Sequence, residues 1–250
     1  MTPPGQQLLP TVERLLCEAE NLRQAARDCA SHDVGPLSLA ATHSQARYAL
    51  PGAVKDFRQL YPQVTLSLHQ GSPRQIAQML LNGEADIGIA TEAVAEVPEL
   101  VSFPYYSWHH AVIAPPAHPL HQQPLTLETL ADYPIVTYHH GFTGRAQIDR
   151  AFADAALAPD IVMAALDADV IKTYVELGLG VGITASQAFN PQRDIGLKAL
   201  DSEHLFEAST TRLAVRTGHY LRDFAYRFIE LCSPELEEDI VRQRIQHAGT

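Results

Sequence analysis

Four short polar clusters in this chain stand at the ends of strand-like runs. Thr42-His43-Ser44-Gln45 follows Leu37-Ser38-Leu39-Ala40-Ala41, which alternates like a strand, and precedes a segment with Leu50, Val54, Phe57 and Leu60 at helical spacing. Thr91-Glu92 follows Ile87-Gly88-Ile89-Ala90, Gly141-Phe142-Thr143-Gly144-Arg145 precedes a helix-like run, and Asp167-Ala168-Asp169 precedes Val170-Ile171-Lys172-Thr173. A strand-to-helix junction presents the free N–H groups of a first helical turn and the positive end of its dipole. Hydroxyls and amides there donate hydrogen bonds without adding charge, so they orient an anion while the backbone supplies the field. The chemistry that suits these clusters is the holding of a small anion or carboxylate, not nucleophilic attack.

Each residue also has a plainer reading. Thr42 or Ser44 caps the following helix, Thr91 closes a turn, and Gly141 and Gly144 serve a backbone bend. Asp167 or Asp169 is an N-cap before it is a ligand contact. Arg145 either neutralises an acidic ligand or pairs with Asp149 one turn on. Convergence of the four clusters is what favours a site.

Other motifs exclude chemistry. In Gly178-Leu179-Gly180-Val181-Gly182 the glycines come after a helix and before a strand, the reverse of a dinucleotide fingerprint, so a tight turn is expected. His109-His110 and His139-His140 are adjacent pairs, not the i, i+4 spacing of helical metal ligands, and read as surface or loop residues. The chain has no GxSxG elbow, HExxH or Walker loop. No metal, no cofactor and no catalytic residue is expected, and the protein is not read as an enzyme.

The elements that must position the clusters form an alternating series. Strand-like runs occur at 37–41, 64–69, 85–90, 111–114, 135–138, 161–164, 181–184 and 212–215, with helix-like runs near 48–60, 72–82, 145–157, 169–177 and 220–232. This predicts an α/β fold with largely parallel sheets. Two lobes joined by two crossing strands would set a ligand cleft where strand C-terminal ends converge, and its closure would be a hinge motion. Before them, residues 3–31 read as one long helix, with Leu8, Val12, Leu15, Ala19, Leu22, Ala26 and Cys29 stepping alternately by four and three. That narrow seam suits self-association; the alternative is a helix lying on its own domain.

The 250 residues are 46% hydrophobic and 19% charged, ordinary for a globular protein large enough to bury a core. A net charge of −11 argues against this chain holding nucleic acid by itself. The three cysteines, Cys17, Cys29 and Cys232, show no CxxC spacing and indicate neither a disulfide framework nor a zinc site. With no signal-like N-terminus and no membrane-length apolar run, a cytoplasmic location is expected.

Long runs carry a resemblance. They are Thr42 to Pro51, His69-Gln70-Gly71-Ser72-Pro73, Ala85-Asp86 with Ile89-Ala90-Thr91-Glu92-Ala93, Pro134 with Val136-Thr137-Tyr138, Gly141 to Arg145, Asp167 to Tyr174, and Leu177 to Gly182. Across residues 10–235 the chain resembles the effector-binding region of LysR-type transcriptional regulators, within them the regulators of sulfur assimilation and cysteine biosynthesis. The resemblance implies two Rossmann-like lobes of the periplasmic-binding-protein type: residues 35–103 with 209–235 as the first, and 104–208 as the second. A linker and dimerisation helix at 1–34 would precede them and a tail at 236–250 would follow.

It implies anion contacts at Thr42, Ser44, Gln45, Thr91 and Thr143; Gly141, Arg145 and Asp169 complete the expected ligand-binding set. Ser44 stands where the family usually has threonine, and His139-His140 replaces a more aromatic pair. The implied effectors are O-acetylserine, N-acetylserine, sulfate or thiosulfate. The implied partners are further copies of the chain as a homodimer or homotetramer, RNA polymerase, and promoter DNA through an N-terminal winged helix-turn-helix. The linker-like helix is present without that reading head, so a truncated regulator is expected. The rival class is a transporter's solute-binding protein for a small anion.

Overall fold

The computed structural model describes residues 33–248 apart from Thr143, together with residues 2, 5, 8, 11, 12, 15, 16, 19, 21–23, 25 and 26. Two five-stranded mixed sheets organise the chain, in the orders β2-β1-β3-β10-β4 and β7-β6-β8-β5-β9. In the first, β1 (Gly35–Ala41) runs parallel to β2 (Val64–Gln70) and β3 (Ile87–Ala90), while β10 (Ser209–Arg216) runs antiparallel to β3 and to β4 (Leu100–Trp108). In the second, β6 (Ile135–Tyr138) is parallel to β7 (Ile161–Ala165) and β8 (Val181–Ala185). There β5 (His110–Ala114) is antiparallel to β8 and β9 (Lys198–Leu200). The chain passes between sheets twice, from Trp108 to His110 and again between Leu200 and Ser209. The result is the two-lobed α/β architecture of periplasmic binding proteins.

Apolar residues cover both faces of each sheet, as strands with four consecutive buried positions require. On one face of the first sheet, Leu37, Leu39, Ile87 and Leu213 meet α1 (Leu50–Leu60) and α6 (Asp223–Cys232), where the Phe57 and Phe228 rings lie 5.5 Å apart, edge to face. On the other, Ala40 and Ala214 meet α2 (Pro73–Leu81) through Ile76 and Leu80. Val112 and Ile183 of the second sheet pack with Ile148 and Phe152 of α4 (Arg145–Asp154). Ile113 and Val136 pack with Ile171 and Val175 of α5 (Ala168–Glu176).

Four elements depart from the sequence reading. The stretch after Pro98, expected as an extended connection, becomes β4 and stays in the first sheet to Trp108. Pro104 is tolerated because β4 is an edge strand and its pairing with β10 is irregular there. The short strand β9 and the helix α3 (Leu127–Ala131) were not expected. Residues 238–248, expected within a tail, form α7 (Glu238–Ala248), whose Val241 and Ile245, four apart, are buried against the first lobe.

Of the N-terminal seam, Leu8, Val12, Leu15 and Leu22 are helical and 47–72% exposed; Cys17 and Cys29 lie outside the described residues. Asn21 joins this helix to the body. Its amide donates to the Gly218 carbonyl at 2.7 Å and its carbonyl accepts from the Tyr220 N–H at 2.9 Å.

The glycine run does serve a turn. Gly178 takes φ +82° after α5, and a Cβ on Gly180 would lie 2.2 Å from the Pro134 carbonyl oxygen. A backbone oxygen cannot step aside as a side chain does. Gly180→Ala is expected to cost about 1–3 kcal/mol, read as a lower urea midpoint at unchanged m-value.

Candidate functional site

The parallel pairing of β1 and β3 brings their C-terminal ends to one edge, where the Thr42 N–H donates to the Ile89 carbonyl at 3.2 Å. Antiparallel β10 pairs Arg212 with Ala90, so Thr211 stands at the level of Thr91. Strand β4 brings Tyr106 opposite Thr211 and Trp108 opposite Ser209. In the second sheet Val136 pairs with Gly182; two residues further along both strands, Tyr138 and Thr184 share one face at the same edge.

The two edges meet each other. Gln187, just after β8, donates its amide to the Tyr106 hydroxyl at 3.3 Å. The Tyr138 hydroxyl accepts the Ala185 N–H at 3.1 Å and lies beside Ser44. Burial pushes the Tyr138 pKa up to about 12, against the pull of the Ala185 N–H. Tyr48 packs on the second lobe's core and donates to Asp169 at 2.8 Å.

At this meeting place the helix entered from β1 starts with the Ala46 N–H on the Thr42 carbonyl at 2.9 Å. It widens at once into a π-helical turn over Gln45–Ala49, where the Leu50 N–H reaches back to the Gln45 carbonyl. Such turns re-aim side chains and recur at functional sites. Gln45 is buried, its amide donating to the Thr211 hydroxyl at 3.0 Å and its carbonyl accepting from Tyr106. Trp108 donates its indole N–H to the same threonine at 3.1 Å.

Thr42 and Ser44 do not act as caps. Their side chains are 0% and 1% exposed, and neither hydroxyl has a hydrogen-bond partner among the described residues. The hydroxyls of Thr184 and Ser209 and the carbonyl oxygen of Gln187 share that condition. Buried polar groups of this kind are rare in folded proteins, and five at or beside the facing edges make this the candidate site.

Residues 30–237 match the family described as the LysR substrate binding domain. The chain belongs to that family. It is 56% identical over 239 residues to the HTH-type transcriptional regulator SsuR of Burkholderia cenocepacia, covering 95% of this chain and 78% of that protein. It is 50% identical over 247 residues to the regulator CysB of the same species, covering 98% and 79%. The crystal structure of the cofactor-binding domain of the Cbl transcriptional regulator superposes with a TM-score of 0.81 at 51% identity, over 85% of this chain and 94% of that one.

The remaining expected residues of this LysR-type domain have separate surroundings. Thr91 is 6% exposed, makes no side-chain cap, and lends its carbonyl to the Val94 N–H at 3.3 Å. Thr143 lies outside the described residues. Gly141 is exposed in the turn before α4, with φ +79° and open space where a Cβ would stand. Arg145 is buried with its guanidinium committed inside the chain, to the Tyr138 carbonyl at 2.6 Å and to Asp149 at 2.7 Å. It therefore holds the end of β6 and makes the pairing one turn on.

Asp167 caps α5, accepting from the N–H of Asp169 at 2.6 Å and of Val170 at 3.4 Å. Asp169 joins the lobes, bonded to Tyr48 and paired with Arg47 on one side and with Lys172, at 2.9 Å, on the other. Lys172 also donates to the Ala188 carbonyl at 2.9 Å and to Asp194 at 3.0 Å. Burial works against both charges, yet it is outweighed: bonds from Lys172 and Tyr48 lower the Asp169 pKa, and bonds to Asp169 and Asp194 raise that of Lys172.

The adjacent histidines divide. His139 and His140 are exposed as expected, but His110 is 1% exposed, its ring 5.0 Å from that of Trp108 and 5.4 Å from that of Phe206. It opens a strand whose five residues are all buried, which the surface reading missed. No group of three or more metal-ligating side chains occurs among the described residues. Sequence reasoning missed Tyr106, Trp108, Tyr138, Thr184, Gln187 and Thr211. Thr184 obeys the rule that found Thr42, a hydroxyl at the end of a strand entering a turn. Tyr106, Trp108, Tyr138 and Thr211 are brought in by strand pairing and Gln187 by the turn after β8, which leave no local signal.

The Asp169 carboxylate titrates lower when folded, so its contribution is full above the unfolded value near about 3.9 and is lost as pH falls through the depressed folded one. Asp169→Asn is expected to lower stability by about 1 kcal/mol at pH 7, a modest figure for a partly exposed pair. That gap should begin to narrow below about pH 4 and close only below the depressed folded value, as urea midpoints measured across the range will report.

Proposed function

We propose that this domain is the sensing half of a cytoplasmic LysR-type regulator of sulfur assimilation and cysteine biosynthesis. Its effector is a small anion of the acetylserine, sulfate or thiosulfate class, bound between the lobes. The observation that carries this reading is the pair of buried hydroxyls on Thr42 and Ser44, unpartnered among the described residues, at the start of the helix that follows β1. Hydroxyls donate to an anion without themselves being charged, and the adjoining helix start adds its dipole. Thr91 and Thr143 are assigned to the same ligand, with Gln45 holding the wall in place through Thr211 and Tyr106. Arg145 and Asp169 act through the frame: one braces β6, the other ties the lobes.

The names of the relatives support regulation without turnover. The effector favours one arrangement of lobes and subunits, and the shift it produces is limited by its differential affinity for the two. That bias re-spaces helix-turn-helix units on promoter DNA in a homodimer or homotetramer, with RNA polymerase as the downstream partner. Such units must carry the DNA contact, because a net charge of −11 suits this chain poorly to phosphate.

Thr42→Val and Ser44→Ala each test the reading. Calorimetric titration with sulfate and with acetylserines is expected to show affinity down by about tenfold or more, the worth of a hydrogen bond to a charged group. The ligand-free melting temperature should hold or rise, since each change removes a buried hydroxyl that has no partner. Unchanged affinity in both variants would remove this edge from the site.

A further inference from the structure

We propose that Tyr48 is the positioning residue of the cleft: it latches the first lobe onto the second with contacts from the chain alone, so that the effector meets a site already closed. Only the effect on affinity rests on the anion reading given above. Tyr48 lies in the π-helical turn that follows β1, the turn into which Ser44 leads. Its side chain nevertheless packs on the second lobe's core, the cluster that holds Val136, Tyr138, Ala168 and Ile171. Its hydroxyl donates to the Asp169 carboxylate of α5 at 2.8 Å.

The acceptor is aimed by its own lobe. Lys172, one turn along α5, pairs with Asp169 at 2.9 Å. Lys172 is 8% exposed and is fixed in turn by the Ala188 carbonyl at 2.9 Å and by Asp194 at 3.0 Å, both in the second lobe. Its ammonium also lies 5.6 Å from the centre of the Tyr48 ring, within the range of a cation–π contact. Groups held this way lose little freedom when the lobes meet. Apolar packing and a charge-assisted hydrogen bond therefore act together at one residue. None of these contacts uses an atom from outside the chain, so the effector selects an arrangement that the chain already populates.

A latch of this kind has a signature in binding. Apparent affinity is the intrinsic affinity scaled by the fraction of molecules that are competent. Loss of the latch lowers that fraction, and every ligand weakens by one common factor, whatever its chemistry. A residue that touched the ligand would discriminate between ligands instead.

The chain carries its own reporter of lobe separation. Trp108 is its one tryptophan and is 4% exposed. It ends β4 of the first lobe, and a Cβ on Gly144 of the second lobe would lie 2.9 Å from its ring. Parting of the lobes uncovers that edge, which acrylamide quenching and the emission maximum both read. In the wild-type protein, quenching is expected to be low and to stay unchanged when sulfate or N-acetylserine saturates the site. Tyr48→Ala should raise the quenching and shift emission to the red without ligand, and saturating N-acetylserine should reverse both. Calorimetry should show this variant binding sulfate and N-acetylserine each about tenfold more weakly, as for a closed fraction of about one tenth. Tyr48→Phe keeps the ring and loses only the hydrogen bond, so it should give smaller changes in the same directions. Thermal melts by circular dichroism establish that both variants fold. The proposal falls if effector lowers the quenching of the wild-type protein, or if folded Tyr48→Ala keeps Trp108 as protected as before. It falls too if that variant weakens one ligand and spares the other. If the wild-type protein binds neither ligand, the anion reading falls, while quenching of the ligand-free proteins still decides the latch.

Discussion

A hydroxyl buried without a partner costs about 1–3 kcal/mol, and Thr42, Ser44 and Thr184 all meet that description at the facing edges of two sheets. A domain of this size is stable by only about 5–15 kcal/mol, so such a concentration is a large fraction of the margin. The rest of the fold supports it. Parallel β1 and β3 end together, β10 returns antiparallel to add Thr211, and edge strand β4 adds Tyr106 and Trp108. Around the unpartnered groups, Gln45, Thr211, Tyr106 and Trp108 spend their hydrogen bonds on one another, which keeps the wall in one shape.

The same edges join the lobes by two kinds of contact. One is a neutral relay through Gln45, Tyr106 and Gln187. The other is ionic, with Asp169 between Arg47 and Lys172 and in reach of Tyr48. Both depend on the helix that follows β1, since Gln45, Arg47 and Tyr48 all belong to its π-helical turn. Under the proposed function, a ligand held at Ser44 would act on the element that carries these contacts, so linkage between cleft and lobe arrangement would need no distant pathway.

Much of this was legible in the sequence. Alternation of apolar residues located β1 and β2 closely, and short apolar runs located β6 and β8, which are buried on both faces. The polar residues at the end of β1 stood out because three of them interrupt an apolar pattern just where backbone N–H groups come free. Strand β4 did not stand out, since Pro104 mimics a linker and only an edge position makes it tolerable. Helix α7 was read as tail because Val241 and Ile245 are too few to form an apolar stripe until Leu236 and the first lobe lie beside them.

By itself the sequence determined the alternation of strands and helices and the junction holding Thr42, Ser44 and Gln45. Both follow from local periodicity and backbone chemistry, which neighbours along the chain encode. The two-lobed class came from the family resemblance of its longer runs. Whether Thr42 and Ser44 cap a helix, and which groups of the chain Arg145 and Asp169 bond, only the tertiary structure decided. A hydrogen bond goes to whichever partner lies closest in space. Residues as far apart as Gln45 and Thr211, or Tyr48 and Asp169, become neighbours only once the sheets have formed.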